Sequence, residues 1–238
     1  MRDIRRWAVY LAPKMNGALA RFGADWLGWD AEGGRARAMP EVPDLPGSRE
    51  DITAAPRKYG FHGTLKAPFA LAPEAEPALL DAEITALARD FRPFDLPLVL
   101  TELGDFLALT PAGPAPELDR LAAACVTRLD GFRAAPTPKE IARRAPDRLG
   151  PAERLNLETW GYPYVLGAFR FHMTLTGPLD PAARAATARA LAPLLAAPLA
   201  RPYTVADISL FGEDRDGMFH LLKRFPFAGA EGAGAAPR

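Results

Sequence analysis

Short, almost wholly apolar runs alternate along this chain with longer stretches whose apolar residues recur at helical spacing. Residues 7–12 (Trp-Ala-Val-Tyr-Leu-Ala) end at Pro13, precede Asn16-Gly17, and read as a buried strand. A short helix is predicted over 18–27. Residues 30–57 are rich in proline, glycine and charge and show no period, so they read as one long loop, either a lid or an unstructured connector. A strand over 59–65, stopping near Pro68, leads to a helix over 73–89. There Leu79, Leu80, Ile84 and Leu87 share a face and the acidic residues come early, where the helix dipole favours them. Strands are predicted at 96–103 and 106–110.

The second half repeats this grammar. Residues 106–111 echo the opening strand, 116–129 form a clear helix, and a basic connector over 136–154 takes the place of the long loop. A strand around 171–175, an alanine-rich helix over 181–195 and strands around 203–211 and 218–225 complete the series. The order strand, helix, connector, strand, helix, strand therefore occurs twice and predicts an α+β fold of two similar lobes facing one another. Residues 1–227 are expected to form a single bilobal domain, with 228–238, glycine and alanine without pattern, as a frayed tail.

The repeated strands carry the candidate chemistry. The chain has three histidines, and two share a frame: Phe61-His62-Gly63-Thr64-Leu65 and Phe171-His172-Met173-Thr174-Leu175. On a strand, residues two apart project together, so His62 with Thr64, and His172 with Thr174, face one way while their apolar neighbours anchor the other. Two lobes related by a pseudo-twofold axis would present both pairs across one cleft. One neutral imidazole can take a proton from water there while a charged one protonates a leaving oxygen, and the threonine hydroxyls can hold non-bridging phosphoryl oxygens. The expected chemistry is phosphodiester hydrolysis, with the two histidines titrating as a coupled pair.

Charge and the remaining motifs narrow this picture. The 29 basic and 29 acidic residues cancel, so no long-range field draws in duplex nucleic acid or an anionic membrane. No stretch reaches membrane-spanning length, and the apolar run near the N-terminus is too short for a signal-peptide core. The single cysteine, Cys125, lies in an apolar helical run, which suits a reducing cytoplasm and a buried thiol. Arg57, Lys58, Lys66 and Arg170 flank the two frames and offer positive charge for an anion, although alternation does not decide which of them face the cleft. Tyr10, Trp160, Tyr162 and Tyr164 are candidates either for stacking on a base or sugar ring or for the core. His220 lacks the following threonine and reads as structural. A competing function, a nucleotide- or RNA-binding module without turnover, would use Trp160 and Tyr162 beside Arg143 and Arg144, and the neutral overall charge counts against it. A third reading is a scaffold whose histidines merely pack.

The two frames resemble those of the 2H phosphoesterase superfamily, named for its paired His-x-Thr/Ser motifs. The flanking text, residues 57–66, 160–165 and 169–177, is similar to a bacterial branch associated with phosphonate-utilisation operons, and the similarity runs from the first strand to about Phe225. The resemblance implies a bilobal fold with antiparallel sheets lining a central cleft and helices outside. It also implies metal-independent, cofactor-free chemistry on cyclic or 2′-linked phosphodiesters, with His62, Thr64, His172 and Thr174 as catalytic residues. Tyr10, Arg57, Lys66, Tyr162, Tyr164 and Arg170 are the candidate substrate contacts. A monomer acting on a small cyclic phosphodiester is expected, such as a 2′,3′-cyclic nucleotide or, from the phosphonate association, a phosphoribosyl cyclic phosphate. RNA 2′-5′ ligation or cleavage would use the same site. Which histidine is base and which acid stays open.

Overall fold

The computed structural model describes residues 3–229. In chain order its elements are β1 (Arg6–Leu11), α1 (Ala18–Leu27), β2 (Trp29–Asp30), β3 (Arg35–Ala36), α2 (Arg49–Ile52), α3 (Ala54–Arg57), β4 (Gly63–Phe69), α4 (Pro77–Arg89), β5 (Phe94–Leu96) and β6 (Leu98–Leu103). They continue with β7 (Phe106–Pro111), α5 (Pro116–Arg128), α6 (Pro138–Arg143), α7 (Pro151–Trp160), β8 (Met173–Thr174), α8 (Pro181–Leu195), β9 (Tyr203–Val205), β10 (Asp207–Glu213) and β11 (Phe219–Pro226). The class is α+β, built on a large antiparallel sheet. Seven strands run in the order β11-β10-β1-β4-β8-β7-β6. The β4 and β8 strands meet through one residue pair, Gly63 opposite Met173, so a narrow joint connects a four-stranded portion to a three-stranded one.

Alternation along β1 assigns the two faces of the sheet. Val9 and Leu11 belong to the main core with Leu80, Ile84 and Leu87 of α4, Leu118, Leu121 and Cys125 of α5, and Leu191 and Leu195 of α8. Tyr10, Ala8 and Ala12 point the other way, into a smaller cluster with Phe211 and Phe219. The helices thus bury one face, which supplies most of the apolar burial that favours folding, and leave the other free to line a cleft. The α1 helix ends on Gly28 in the left-handed conformation, φ 72°, where a side chain would be strained. Its Trp26 Nε1–H donates to the Leu175 carbonyl at 2.8 Å, tying the N-terminal helix to the segment that carries the second histidine frame.

Several elements depart from the sequence reading. The stretch 30–57 is not one loop: it contains the β2–β3 hairpin and the four-residue helices α2 and α3, too short to show a hydrophobic period. Connector 136–154 likewise holds α6 and the start of α7, and α6 opens on a reciprocal capping box between Thr137 and Glu140. The first histidine strand begins at Gly63, one residue after His62, and runs through Pro68 to Phe69. The helix expected over 73–89 starts at Pro77, whose missing N–H is harmless in a first turn. The strand expected over 203–211 divides into β9, which pairs with β5, and β10.

The larger correction concerns partners. The 96–103 strand, assigned by order to the first half, pairs with β7, whereas the closing strand β10 pairs with β1 and carries β11 on its other edge. The halves therefore exchange their last strands. The frayed tail expected over 228–238 falls largely outside the described residues, and Ala228 N–H is bonded to the Phe91 carbonyl at 3.0 Å. Among the described residues no helix is long and apolar enough to cross a membrane.

Candidate functional site

The two frames fold alike. In each, the phenylalanine, the residue after the histidine and the leucine are buried, while the histidine and threonine are half-buried. The anchors are held by shape. A Cβ at Gly63 would lie 2.2 Å from the Phe171 ring, and one at Gly23 of α1 would lie 2.1 Å from Phe61, so each phenylalanine packs where only glycine leaves room. Extending the antiparallel register from the Gly63–Met173 pair sets His62 across from Thr174 and Thr64 across from His172. The two His/Thr pairs are thereby brought to one face at the joint.

Backbone carbonyls orient both rings. His62 Nδ1–H donates to Gly60 O at 2.9 Å, and His172 Nδ1–H donates to Arg170 O at 2.8 Å. A carbonyl only accepts, so the proton on each neutral ring belongs on Nδ1 and the lone pair on Nε2. His62 Nε2 lies 3.2 Å from Thr64 Oγ1. Gly60, at φ 72°, makes the turn that points its carbonyl back at the ring.

The environments of the two rings differ. His62 stacks on Tyr10 with ring centroids 3.8 Å apart, and Tyr59 and Phe211 stand at 5.9 and 6.4 Å. Burial pushes the His62 imidazole down to about 4; its bond to Gly60 opposes this, and the charge of His172 lowers it further. His62 is therefore neutral at pH 7. Among the described residues His172 has a single aromatic neighbour, Phe106, at 5.7 Å.

The other candidates scatter. Tyr10 is at the site, buried beneath His62. Tyr162 is half-buried, packs edge-on to Tyr164 at 5.9 Å, and carries the Arg144 guanidinium 4.6 Å over its ring; burial raises its phenol above the ordinary value. Tyr164 is exposed. Arg170 contributes its carbonyl, and its side chain is exposed, bonded to Phe169 O.

Two expected substrate contacts lie elsewhere. Lys66 would share a face with Thr64 on a regular strand, but the β1–β4 register shifts between Val9 opposite Lys66 and Tyr10 opposite Thr64. This bulge turns Lys66 to the helix side, where its Nζ donates to Val126 O at 3.2 Å and sits 3.5 Å from Asp130; burial pushes it down to about 8. Arg57 is drawn to carbonyls instead, donating to Leu27 O at the end of α1 and to Glu50 O, both at 2.8 Å. His220 is buried and bonded to Asp214 at 2.6 Å, a structural pair. Cys125 is fully buried, its thiol pushed up to about 12 by desolvation.

Sequence reasoning missed Tyr59, Phe211 and Arg6. The first was legible as an aromatic residue three positions before His62; the others reach the site face through β10 and β1. Among the described residues no three His, Cys, Asp or Glu side chains converge as metal ligands. A pocket of about 570 Å³ lies between the start of α1 and β9. Neither histidine of the pair lines it, and its Lys14 is paired with Asp207 at 3.3 Å.

Residues 64–220 match a family described as "Protein of unknown function (DUF1045)". The chain is 39% identical over 175 residues to a protein of Laribacter hongkongensis named ribose 1,5-bisphosphate phosphokinase PhnN, covering 74% of this chain and 40% of that one. It is 34% identical over 242 residues to a protein of the same name from Janthinobacterium, covering 95% and 52%. The chain thus spans about half the length, or less, of these relatives. Among solved structures it is similar to E. coli LigT complexed with 3′-AMP, at 15% identity and a TM-score of 0.43, covering 94% of this chain and 99% of that one. A crystal structure titled only as a phosphoesterase aligns at 14% identity and a TM-score of 0.41, covering 94% and 99%.

Proposed function

The chain belongs to the DUF1045 family, and we propose that it is a metal-independent phosphodiesterase that opens a small cyclic phosphate by acid/base catalysis between His62 and His172. The observation that carries this reading is the joint: two His/Thr pairs on one face, each ring tied by Nδ1 to a carbonyl so that Nε2 is left to work. His62, held neutral by burial against Tyr10, is assigned as base. It takes a proton from water through Nε2 as the water oxygen bonds to phosphorus. His172 gives its Nε2 proton to the ester oxygen as the phosphorus–oxygen bond breaks, and Thr64 and Thr174 hydrogen-bond the non-bridging oxygens. An anionic phosphodiester beside His62 stabilises its protonated form, bringing it toward the range in which proton transfer is most efficient.

The favoured substrate is a phosphoribosyl cyclic phosphate. The flanking motifs support it by their similarity to proteins of phosphonate operons, and the two relatives support it by a name that refers to ribose 1,5-bisphosphate. A cyclic phosphate spanning O1 and O2 of ribose 5-phosphate opens to that compound when O2 is the leaving oxygen. The test is turnover of this substrate and of nucleoside 2′,3′-cyclic phosphates by the native chain and by His62→Ala and His172→Ala, with the phosphate position of each product determined by phosphorus NMR. Full activity in either variant refutes the two-histidine mechanism. Phosphate left on O2 of the pentose refutes the assigned regiochemistry.

A further inference from the structure

A second basic group, reached along the face of β1 that carries Tyr10, has no part in the mechanism above. Arg6, Arg133, Arg143 and Arg144 line one pocket, with Pro136 and Leu157 among its apolar walls. Two of the four are already neutralised: Arg6 makes a two-pronged ion pair with Glu213 at 2.5 and 2.6 Å, and Arg133 pairs with Asp130 at 2.9 Å. Arg143 and Arg144, at the end of α6, have no ion-pair partner among the described residues. The pocket's Glu140 accepts from Thr137 N–H and Oγ1–H, both at 2.8 Å, so its carboxylate is held in the α6 cap. Two guanidinium forks remain for a ligand, and planar forks match phosphate oxygens.

This pocket joins the histidine site through aromatic rings. Arg6, which lines the pocket, holds its guanidinium 5.8 Å over the Phe219 ring, Phe219 stands 6.2 Å from Tyr10, and Tyr10 stacks on His62. Arg6 is two same-face positions from Tyr10 on β1, about 13 Å of strand.

We propose that Arg143 and Arg144 bind the second, non-reacting phosphate of the substrate, so that the site selects cyclic phosphodiesters that also carry a terminal phosphomonoester. The inference rests on the cyclic phosphodiesterase reading and adds its specificity. A doubly charged phosphate suits two unpaired arginines, and Tyr162 fixes the plane of the Arg144 fork at little entropic cost.

The experiment measures kcat/KM for three substrates: ribose 5-phosphate 1,2-cyclic phosphate, the same cyclic phosphate lacking the 5-phosphate, and a short oligoribonucleotide ending in a 2′,3′-cyclic phosphate. The proteins are the native chain, Arg143→Ala, Arg144→Ala, the double variant and Arg144→Glu, with thermal unfolding run on each. Arg143 is exposed and Arg144 half-buried on a short helix, so the folded state is expected to survive. The double variant should lose about 10- to 100-fold on the doubly phosphorylated substrate, chiefly through KM, and less than about 2-fold on the cyclic phosphate alone. Arg144→Glu should lose more than Arg144→Ala on the first substrate only. Equal losses on the first two substrates, or no loss on either, overturn the subsite while leaving the phosphodiesterase reading intact. A loss confined to the oligoribonucleotide overturns it in favour of RNA. A native chain that opens none of the three overturns both readings.

Discussion

Holding His62 neutral has a thermodynamic cost that can be measured without a substrate. Above pH 6.5 the imidazole is neutral in folded and unfolded chains alike and contributes nothing to pH dependence. As pH falls below the ordinary value of 6.5, the unfolded chain takes up a proton that the folded ring refuses until about 4. Stability therefore drops through that window and levels off below it. At about 1.4 kcal/mol per pH unit, the full difference is about 3 kcal/mol, of which about 2 kcal/mol falls between pH 7 and pH 5. These are upper values, since the Nε2 edge of the half-buried ring faces the cleft and is partly solvated. The perturbation is His62→Gln, which removes the titration, made in a His172→Gln background so that the neighbour's charge does not enter. Urea unfolding at pH 7 and pH 5 should show the parent losing up to about 2 kcal/mol more than the variant, or about 4–8 °C in Tm for a chain of this size. Parallel pH dependence in the two proteins would refute the claim that burial against Tyr10 keeps His62 uncharged.

The remaining expectations concern catalysis and packing. His62→Ala and His172→Ala should each lower kcat by about 10²- to 10⁴-fold, measured on a cyclic phosphate, while EDTA leaves the native rate unchanged. Rates that fall with chelator and return with added metal would contradict the mechanism. The acid limb of the native kcat/KM profile should lie near the His62 value of about 4; Tyr10→Leu, which opens the ring to water, should move it up toward the ordinary imidazole value of about 6.5. Gly63→Ala pushes a methyl into Phe171 and should destabilise the protein by about 1–3 kcal/mol while impairing turnover, because the same contact sets the joint between the two histidine strands. Circular dichroism melts with parallel kinetics check both halves of that statement.

The histidine frames were legible because their information is local: a spacing of two on an extended backbone put the same side chains on the same face in both copies, whatever the rest of the fold did. Lys66 was misplaced because its direction depends on a bulge created by pairing with β1, a partner more than fifty residues away in sequence. Arg57 was misplaced for a related reason, since the carbonyl it bonds at Leu27 belongs to another helix and its approach is set by tertiary packing. Apolar runs identified most strands but carried no label for their neighbours, so the attachment of β10 to β1 and of β6 to β7 was invisible in the order of elements. Arg6 was missed because its place on the Tyr10 face depends on which face of β1 the cleft uses, and the sheet decides that.

The exchange of strands also bears on how the protein comes to exist. The β1 strand lies between β4 and β10, and its Arg6 bonds Glu213 across 207 residues of sequence. A chain made from its N-terminus must therefore hold an apolar strand with one open edge until β10, some two hundred residues later, has been made, and such an edge invites pairing with other chains. Pairings this distant close slowly, since the loop entropy is lost before the contacts form. Tyr10, on that strand, meets its neighbours Phe211 and Phe219 only when the closing hairpin docks. The first histidine thus acquires its finished surroundings only once that hairpin has docked, and a chain truncated before β10 would carry both motifs and still lack the aromatic setting that buries His62.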